Sequence, residues 1–468
     1  MTECARGEYP AGLAVALDRD VRQLAGGRVL LGGDPGRLVR LRVGAGPVLA
    51  RLAAPDRLDP STLRLARTLV EGGLAHPRPG PAPVVDVTVV VPVRDRAGEL
   101  ARCLLALGPD VPVVVVDDGS TDPDAVAGAA ARHGARLLVQ PRNTGPAGAR
   151  NTGVAATSSE LVAFVDSDCV VPPGWLAGLV GHFADPAVGA VAPRVRAAGR
   201  GATLLERYAR ARGPLDLGAR EAWVRPGGRV PYVPTAALVV RREALGGVPP
   251  FDPALRFGED VDLVWRLHDG GWAVRYDPRT VVEHAEPGRW RNWLLRRHRY
   301  GTSAAPLAAR HGNRLTPLVL PPWPTAAWLL LLARRPLPAL LAAAVPAVRL
   351  QRRLRRTGLP AGTCALVATR VTVQGVLATG GGIGGAGTVS TAPLLALALG
   401  ARRTRPLAAA LLLAPPLLDY LTRRPAVDPV RWAALRLVDD LAYATGVWRG
   451  CWSARTTTPL RPRRSRPR

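Results

Sequence analysis

The sequence predicts an α/β protein whose central sheet is mostly parallel. Residues 84–300 alternate apolar runs with helical patterns, and the runs are DVTVVVPV (86–93), VPVVVVDDGS (111–120), RLLVQ (136–140) and LVAFVDSD (161–168). Short, unbroken apolar strands are typical of parallel sheets that helices cover on both faces. Ligands bind such sheets at the carboxyl ends of the strands. Two of the runs end in paired acidic residues, so that edge is the candidate site.

A small unit is predicted over residues 1–80, ahead of the sheet. Its elements are two strands at RVLLGG (28–33) and RLVRLR (37–42), a helical stretch around 45–54 and a helix from Asp59-Pro60 to Gly72-Gly73. Asp before Pro favours a helix start, and paired glycines favour a helix end. This order of elements is winged-helix-like. The Pro-rich stretch at 76–83 predicts a linker to the next domain.

Residues 301–468 form an apolar helical region of different composition. Its uncharged runs are bracketed by pairs of arginines, and they are Leu315–Ala333, Val371–Ala401 and Pro406–Leu418. The first holds four prolines, the second is Gly-rich and the third is short, so none predicts an ordinary spanning helix. Broken or interfacial membrane helices and a soluble Ala/Leu-rich domain both stay open. We favour association with the cell membrane, with the sheet domain on the cytoplasmic side.

The formal net charge of +27 indicates an anionic partner. Every basic residue except histidine is an arginine, which fits a gene of GC-rich DNA, so part of this charge reflects coding. Nucleotide phosphates or an acidic membrane surface are the expected partners. We expect no nucleic acid, because there is no zinc or RNP signature and no aromatic-interleaved basic patch. Five scattered cysteines without a CxxC motif predict reduced thiols in the cytosol.

The strongest site signal is Asp166-Ser167-Asp168, at the end of the run LVAFV. The two carboxylates can reach one metal because the strand ends and the chain turns there. Hard oxygen ligands suit Mg²⁺ or Mn²⁺, which also bridge the oxygens of a diphosphate. Alone, an Asp-x-Asp pattern is common in solvated turns. A core strand, however, has little reason to end in paired acids without a ligand.

A second signal is VDDGS (116–120), which ends another predicted strand. Asp117 or Asp118 can accept hydrogen bonds from a pyrimidine or from a ribose. Pro92 and Asp95 follow the first strand and face the same edge, so they are further candidates for contact with a nucleoside. The alternative is a turn whose polar side chains cap the following helix.

Two helix starts and one histidine complete the candidates. GPAGARN (145–151) begins a helix whose free N–H groups, together with Arg150, can hold phosphate, although a simple capped helix fits as well. Glu259 and Asp260 begin another helix, as partners of its dipole or as a base that removes a proton from a hydroxyl group. His284 follows an apolar strand and is either structural or a metal ligand.

In this order, VPVRDR, VVVDDGS, RNTGPAGARN, VAFVDSD and FGEDVDLVWRL resemble a family-2 glycosyltransferase with the GT-A fold, over about residues 86–290. The resemblance implies a nucleotide-sugar donor, Mg²⁺ or Mn²⁺, and inversion by direct displacement. It implies that Asp118 binds the nucleoside and that Asp168 binds the metal and the diphosphate, assisted by Asp166.

The same resemblance implies that Asp260 is the general base, with Glu259 beside it. His284 falls where many relatives have a metal-binding histidine. The presence of Asp118, Asp166, Asp168 and Asp260 argues against a catalytically dead domain.

The whole architecture is most similar to the mycofactocin-system glycosyltransferases of actinobacteria, which attach β-linked glucose to a redox cofactor made from a ribosomal peptide. Residues 28–75 resemble small peptide-recognition domains. The implied function is inverting transfer of glucose from UDP-glucose to that peptide-derived acceptor. The alternatives are a polyprenyl-phosphate or cell-envelope glycan glycosyltransferase, a nucleotidyltransferase on a similar sheet, and a catalytically dead peptide-binding or membrane scaffold.

Overall fold

The computed structural model describes residues 9–34, 36–41, 45–52, 59–80, 86–246, 249–315, 318–390 and 397–464. The chain divides into two compact units. The first runs through Ala202 and resumes over Arg212–Glu286. The second consists of Thr203–Ala211 and Pro287–Arg468, described as far as residue 464.

The start of the first unit combines small antiparallel sheets with two helices. Its elements are β1 (Ala14–Leu17), β2 (Arg22–Leu24), β3 (Val29–Gly32), β4 (Arg37–Arg40), α1 (Ala45–Arg51), α2 (Pro60–Glu71) and β5 (Ala75–Arg78). β2, β3 and β4 form a meander, and β1 pairs with β5. Asp59 caps α2 by accepting a hydrogen bond from Thr62 N over 2.8 Å. The predicted strands and helices are present, while the winged-helix assignment stays a prediction.

The linker prediction over 76–83 is wrong at its beginning, and residues 81–83 lie outside the described residues. Residues 75–78 form strand β5, in which Pro77 lies opposite Val15 of β1. A proline is tolerated there because β5 pairs with one strand only and loses no ladder hydrogen bond on its free side. His76 is buried in this strand at 3% exposure.

A buried ion pair and a buried hydrogen bond attach this N-terminal part to the rest of the first unit. Arg67 donates to both oxygens of Asp185, over 2.7 and 3.0 Å. His76 Nε2 lies 2.8 Å from Asp18 Oδ2, and its Nδ1 lies 3.5 Å from Arg275 Nη2. Removing one partner of such a pair leaves an uncompensated buried charge, at a cost of about 3–5 kcal/mol. The N-terminal part is thus packed against the rest of the first unit through buried side-chain contacts.

The central sheet supplies the edge that the sequence marks as the candidate site. Its strands are β6 (Val87–Val93), β7 (Val113–Asp117), β8 (Arg136–Val139), β9 (Leu161–Val165), β10 (Cys169–Val170), β11 (Val188–Ala197), β12 (Ala222–Val224), β13 (Ala237–Arg241) and β14 (Ala273–His284). The order is β10-β14-β11-β13-β9-β6-β7-β8, with β12 on β14. The half from β8 to β9 is parallel, as predicted, and β11 is parallel to β14. Antiparallel β10, β12 and β13 complete the sheet.

Helices cover the sheet, and the two that begin at Gly145 and Glu259 start where the sequence predicts helix starts. They are α3 (Ala97–Leu107), α4 (Pro123–Arg132), α5 (Gly145–Ala155), α6 (Trp175–Val180), α8 (Arg242–Leu245) and α9 (Glu259–Asp269), while α7 (Leu204–Arg212) falls mainly in the second unit. α3 buries Leu100 and Leu104 against Val89 and Val91 of β6 in the main core. The loops after β6, β7 and β9 are thereby held on a rigid support.

The second unit is helical. Its other elements are α10 (Trp290–Thr302), α11 (Ala304–His311), β15 (Val319–Leu320), α12 (Pro322–Leu332), α13 (Pro336–Arg355), α14 (Ala361–Val389), α15 (Arg405–Arg423), α16 (Pro429–Ser453) and β16 (Arg463–Arg464). Asp439 of α16 is buried and accepts hydrogen bonds from Trp293 Nε1 over 3.0 Å and Arg297 Nε over 2.7 Å. It also accepts one from Tyr208 over 3.2 Å, so that a single carboxylate joins α7, α10 and α16.

The sequence did not predict an ordinary spanning helix in the Gly-rich run, yet α14 runs unbroken over Ala361–Val389. Each glycine costs a helix about 1 kcal/mol relative to alanine, but packing offsets this cost. A Cβ on Gly380 would lie 2.3 Å from the ring of Trp328, and one on Gly384 would lie 2.6 Å from Pro415. Of the described helices, one stretch, Ala361–Gly385, is long and apolar enough to cross a membrane, with a mean hydropathy of 1.3.

Candidate active site

Strand pairing brings Asp168 and His284 together. β10 pairs with β14 so that Cys169 lies opposite His284, and Asp168 immediately precedes Cys169. Asp168 Oδ1 lies 3.4 Å from His284 Nε2. Glu286 Oε1 lies 3.3 Å from the other ring nitrogen, and such a second carboxylate orients a ligating imidazole. The pair presents one carboxylate oxygen and one imidazole nitrogen.

This donor pair fits a divalent cation. Among the described residues, no three His, Cys, Asp or Glu side chains gather around one position. Mg²⁺ sites at diphosphates use one or two carboxylates and complete the shell with phosphate oxygens and water, and Mn²⁺ accepts an imidazole as well. Arg96 pairs with Asp168 Oδ2, so a positive charge already neutralises this carboxylate. Arg96 is half exposed, and an ion pair of that kind contributes little stability.

Asp166 faces a different partner, the buried Arg150 of α5. Arg150 Nη2 donates to Asp166 Oδ1 over 2.6 Å, and its Nη1 donates to Glu259 Oε1 over 2.8 Å. Burial alone would lower the pKa of the Arg150 guanidinium, but the two carboxylates raise it overall. The strand end after β9 and the start of α9 therefore converge on one guanidinium group. Metal binding by Asp166 stays a prediction.

That Arg150 binds phosphate also stays a prediction. In the structure its guanidinium joins the carboxylates of Asp166 and Glu259. Its side chain is 3% exposed and lies behind the acids instead of facing solvent. Both of its terminal nitrogens are engaged by carboxylates. Sequence reasoning placed Arg150 at a helix start, where anions bind, but it could not foresee that Asp166 and Glu259 arrive from distant segments.

Asp260 follows Glu259 and is partly buried at the first turn of α9. Burial and, to a smaller extent, the nearby charge of Glu259 raise the pKa of its carboxyl group to about 7. A hydrogen bond from Val261 N over 2.8 Å and the charge of Arg150 oppose this shift. A carboxylate with a pKa near neutrality is suited to accept a proton at physiological pH. The geometry is thus compatible with the base predicted at this position.

The nucleoside candidates lie at the ends of β6 and β7. Asp117 is fully buried, and its Oδ1 accepts hydrogen bonds from the backbone N and hydroxyl of Ser120. Asp95 is more exposed, and its Oδ1 accepts from Thr121 N over 2.6 Å, a bond that lowers the pKa of Asp95. Pro92 lies within β6, opposite Val116 of β7. Asp95 N donates to the Ser120 hydroxyl over 2.9 Å, which joins the two loops.

Asp118 is attached to the start of α5. Its Oδ1 accepts from Thr144 N over 2.6 Å and its Oδ2 accepts from Gly145 N over 2.9 Å. This carboxylate, which is 5% exposed, therefore binds the N–H groups at the start of α5. Its predicted contact with a nucleoside stays a prediction. A carboxylate has about four acceptor positions, so its bonds to Thr144 and Gly145 leave room for another donor.

Three side chains of this region escaped the sequence reasoning as site residues: Arg96, Asn151 and Glu286. Glu286 was detectable, because a ligating histidine commonly donates its other ring N–H to a carboxylate and Glu286 lies two residues after His284. Arg96 carried no such signal, since its pairing with Asp168 joins loops from two different strands. Asn151 donates to Phe251 O over 2.7 Å, a contact between residues 100 apart in sequence.

Comparison with known proteins identifies the family. Residues 88–247 match the model of glycosyl transferase family 2. The pre-mycofactocin glycosyltransferase of Mycobacterium tuberculosis is 40% identical over 467 residues, which cover 97% of this chain and 98% of that protein. The glycosyltransferase AglE of Haloferax volcanii is 28% identical over 208 residues, 42% of this chain and 66% of that protein.

Among solved structures, a mannosyltransferase of Pyrobaculum calidifontis in complex with GDP-Man and Mn²⁺ is 22% identical, with a TM-score of 0.44, and covers 79% of this chain and 89% of that one. The family match and the observed sheet confirm the predicted α/β fold of the GT-A type. Because the similarity to the mycobacterial relative extends along the whole chain, the protein belongs to the family-2 glycosyltransferases, in the group of the mycofactocin system.

Proposed function

We propose that this enzyme transfers glucose from UDP-glucose to a peptide-derived precursor of a redox cofactor, with inversion at the anomeric carbon. The supporting observation is the extent of its similarity to the pre-mycofactocin glycosyltransferase, which reaches 97% of the chain. The likeness therefore includes the N-terminal part and the second unit as well as the family-2 domain. An acceptor shared with that relative accounts for all three parts.

In the proposed reaction, the loops after β6 and β7 bind the nucleoside through Asp95, Asp117 and Asp118. Asp168 and His284 would hold Mg²⁺ or Mn²⁺, which when bound stabilises the negative charge of the departing nucleoside diphosphate. Asp260 accepts the proton of the acceptor hydroxyl while that oxygen forms its bond to the anomeric carbon. The bond to the diphosphate breaks on the opposite face of the sugar, and this geometry inverts the configuration.

A covalent sugar–enzyme intermediate on a cysteine does not fit this region. Cys103 and Cys169 are both buried. Burial raises the pKa of the Cys103 thiol to about 12, and it raises that of Cys169 well above its usual value. A thiol in that state supplies almost no thiolate nucleophile at neutral pH. This excludes a thiol nucleophile, and we propose direct displacement assisted by Asp260.

The test is a transfer assay with purified enzyme, Mn²⁺ and a panel of UDP-glucose, UDP-N-acetylglucosamine and GDP-mannose. The acceptors are the peptide-derived precursor and, separately, a polyprenyl phosphate. We expect transfer from UDP-glucose to the precursor and a β-anomeric proton in the NMR spectrum of the product. An α-linked product would contradict inversion. Transfer to the polyprenyl phosphate alone would favour the cell-envelope alternative, which the apolar stretch Ala361–Gly385 makes worth testing.

We further propose that the second unit binds an anionic membrane surface and keeps the catalytic domain on its cytoplasmic side. Residues 301–418 contain thirteen arginines and no acidic residue. Large apolar side chains are exposed in the same unit, with Leu337, Leu341 and Leu377 between 62% and 74% exposed and Trp452 at 87%. Apolar side chains flanked by arginines are suited to a bilayer that contains acidic lipids.

Vesicle co-sedimentation tests this proposal. The protein is expected to sediment with vesicles that contain phosphatidylglycerol and to bind less to pure phosphatidylcholine. Replacing four exposed arginines of the second unit with glutamine should weaken binding to the vesicles that contain phosphatidylglycerol. These residues are Arg352, Arg353, Arg355 and Arg356. The matched control replaces four exposed arginines of the first unit (Arg102, Arg132, Arg142 and Arg200). Equal binding by both quadruple variants would argue against the proposed surface.

A further inference from the structure

The base loop, residues 249–258, carries the chain into the start of α9 and belongs to no helix or strand. The hydrogen-bond ladders of the sheet therefore do not fix the position of Asp260. A general base must lie within hydrogen-bonding reach of the proton that it accepts. The base loop and the start of α9 thus need other attachments to hold Asp260 at the site.

Asn151 of α5 attaches the base loop through the backbone of Phe251. Its Nδ2 donates to Phe251 O over 2.7 Å, and its Oδ1 accepts from Phe251 N over 3.0 Å. The Phe251 side chain is fully buried, and its ring lies edge-on to that of Phe164 in β9, with 5.1 Å between centroids. A two-bond amide clamp and an aromatic contact together fix this point of the base loop.

Arg150, the preceding residue, attaches the far end of the base loop. Its guanidinium joins Glu259, the first residue of α9, to Asp166 at the end of β9. It also lies over the Phe251 ring, 5.6 Å from the centroid. α5 itself is held close to the sheet, because a Cβ on Gly153 would lie 2.3 Å from Val90 of β6. Two consecutive residues of one rigid helix thus hold both ends of the base loop.

We propose that Asn151 and Arg150 are positioning residues for the transfer step, which set the place of Asp260 relative to the donor side of the site. This inference rests on the proposed role of Asp260 as the base. Neither residue needs to touch a substrate. A misplacement of about 1 Å in a reacting group can cost about 100-fold in rate, so a loosened base loop is expected to reduce kcat while the nucleotide remains bound.

The test compares Asn151→Ala with Thr157→Val. Thr157 lies just beyond the C-terminal end of α5. Each change removes two hydrogen bonds, since the Thr157 hydroxyl donates to Val154 O and accepts from Arg242 Nη2. We expect Asn151→Ala to lower kcat about 10-fold or more. UDP affinity with Mn²⁺ and the melting temperature should match those of Thr157→Val. Equal kcat values in the two variants would overturn the proposal.

Arg150→Lys and Arg150→Met provide a second measurement. Lysine keeps the charge but lacks the planar fork that bridges two carboxylates. We expect kcat to fall in the order wild type, Lys, Met, with the melting temperatures reported alongside. Loss of UDP affinity in parallel with kcat would instead assign Arg150 to donor binding and contradict the positioning role.

The outcomes separate this inference from the proposed function. If Asp260→Asn retains full turnover, the proposed base is wrong, and the positioning argument fails with it. If Asp260→Asn is inactive while Asn151→Ala turns over normally, the base stands and only the positioning role is lost.

Discussion

Replacing Asp168 with alanine is expected to abolish the Mn²⁺-dependent binding of UDP. Asp168 Oδ1 lies 3.4 Å from His284 Nε2. A cation held by these two side chains would link the protein to the diphosphate. A metal ion stabilises such charge by several kcal/mol, so a loss of affinity of about 100-fold or more is the expected size. Calorimetric titration of UDP with and without Mn²⁺ measures the effect directly.

The control for this change is Asp124→Ala, which removes the same charge from an exposed position at the start of α4. It should bind UDP as the wild type does. Should Asp168→Ala keep its UDP affinity in the presence of Mn²⁺, the cation site proposed between β10 and β14 is wrong. Turnover is expected to fall in parallel with affinity, because the leaving diphosphate loses its positive partner.

Asp260→Asn is expected to lower turnover by about 100-fold or more and to leave UDP affinity unchanged, as for a lost general base. The dependence on pH gives a second measure. Burial raises the pKa of Asp260 to about 7, and only the deprotonated carboxylate accepts a proton. The wild-type rate should therefore fall about tenfold per pH unit below pH 7, and this limb should vanish in Asp260→Asn.

The Glu259→Gln variant tests whether Asp260 is the group that titrates in the acid limb of the pH–rate profile. The charge of Glu259 contributes to the raised pKa of Asp260, so its removal should shift the acid limb toward lower pH. An unmoved limb in this variant, or a limb that survives in Asp260→Asn, would assign the titration to another group.

Local patterns predicted the parallel half of the sheet well. Val89 and Val91 of β6 and the apolar face of α3 have periods that a sequence displays directly. α14 was missed because its glycines are compensated by Trp328 and Pro415, which are distant in sequence. Strand β5 was missed because its proline and histidine have low strand propensity, whereas pairing with β1 and burial of His76 override it.

The acids of the site were predictable for a similar reason. Polar residues that end buried strands stand out against their apolar neighbours, so Asp117, Asp166 and Asp168 were visible one by one. The partners of these acids could not be predicted, since the pairing of Cys169 with His284 and the bridge made by Arg150 depend on the complete topology. Sequence reasoning thus named candidate residues for the chemistry and could not tell which of them face each other.

The buried ion pairs of the N-terminal part have a consequence for biosynthesis. Arg67 is made 118 residues before its partner Asp185, and His76 is made 199 residues before Arg275. At about 5–20 residues per second, His76 waits about 10–40 s for that contact during translation. Until Asp185 and Arg275 have been made, neither contact can form. We therefore expect the N-terminal part, although it is made first, to complete its fold only after strand β14 has been synthesised.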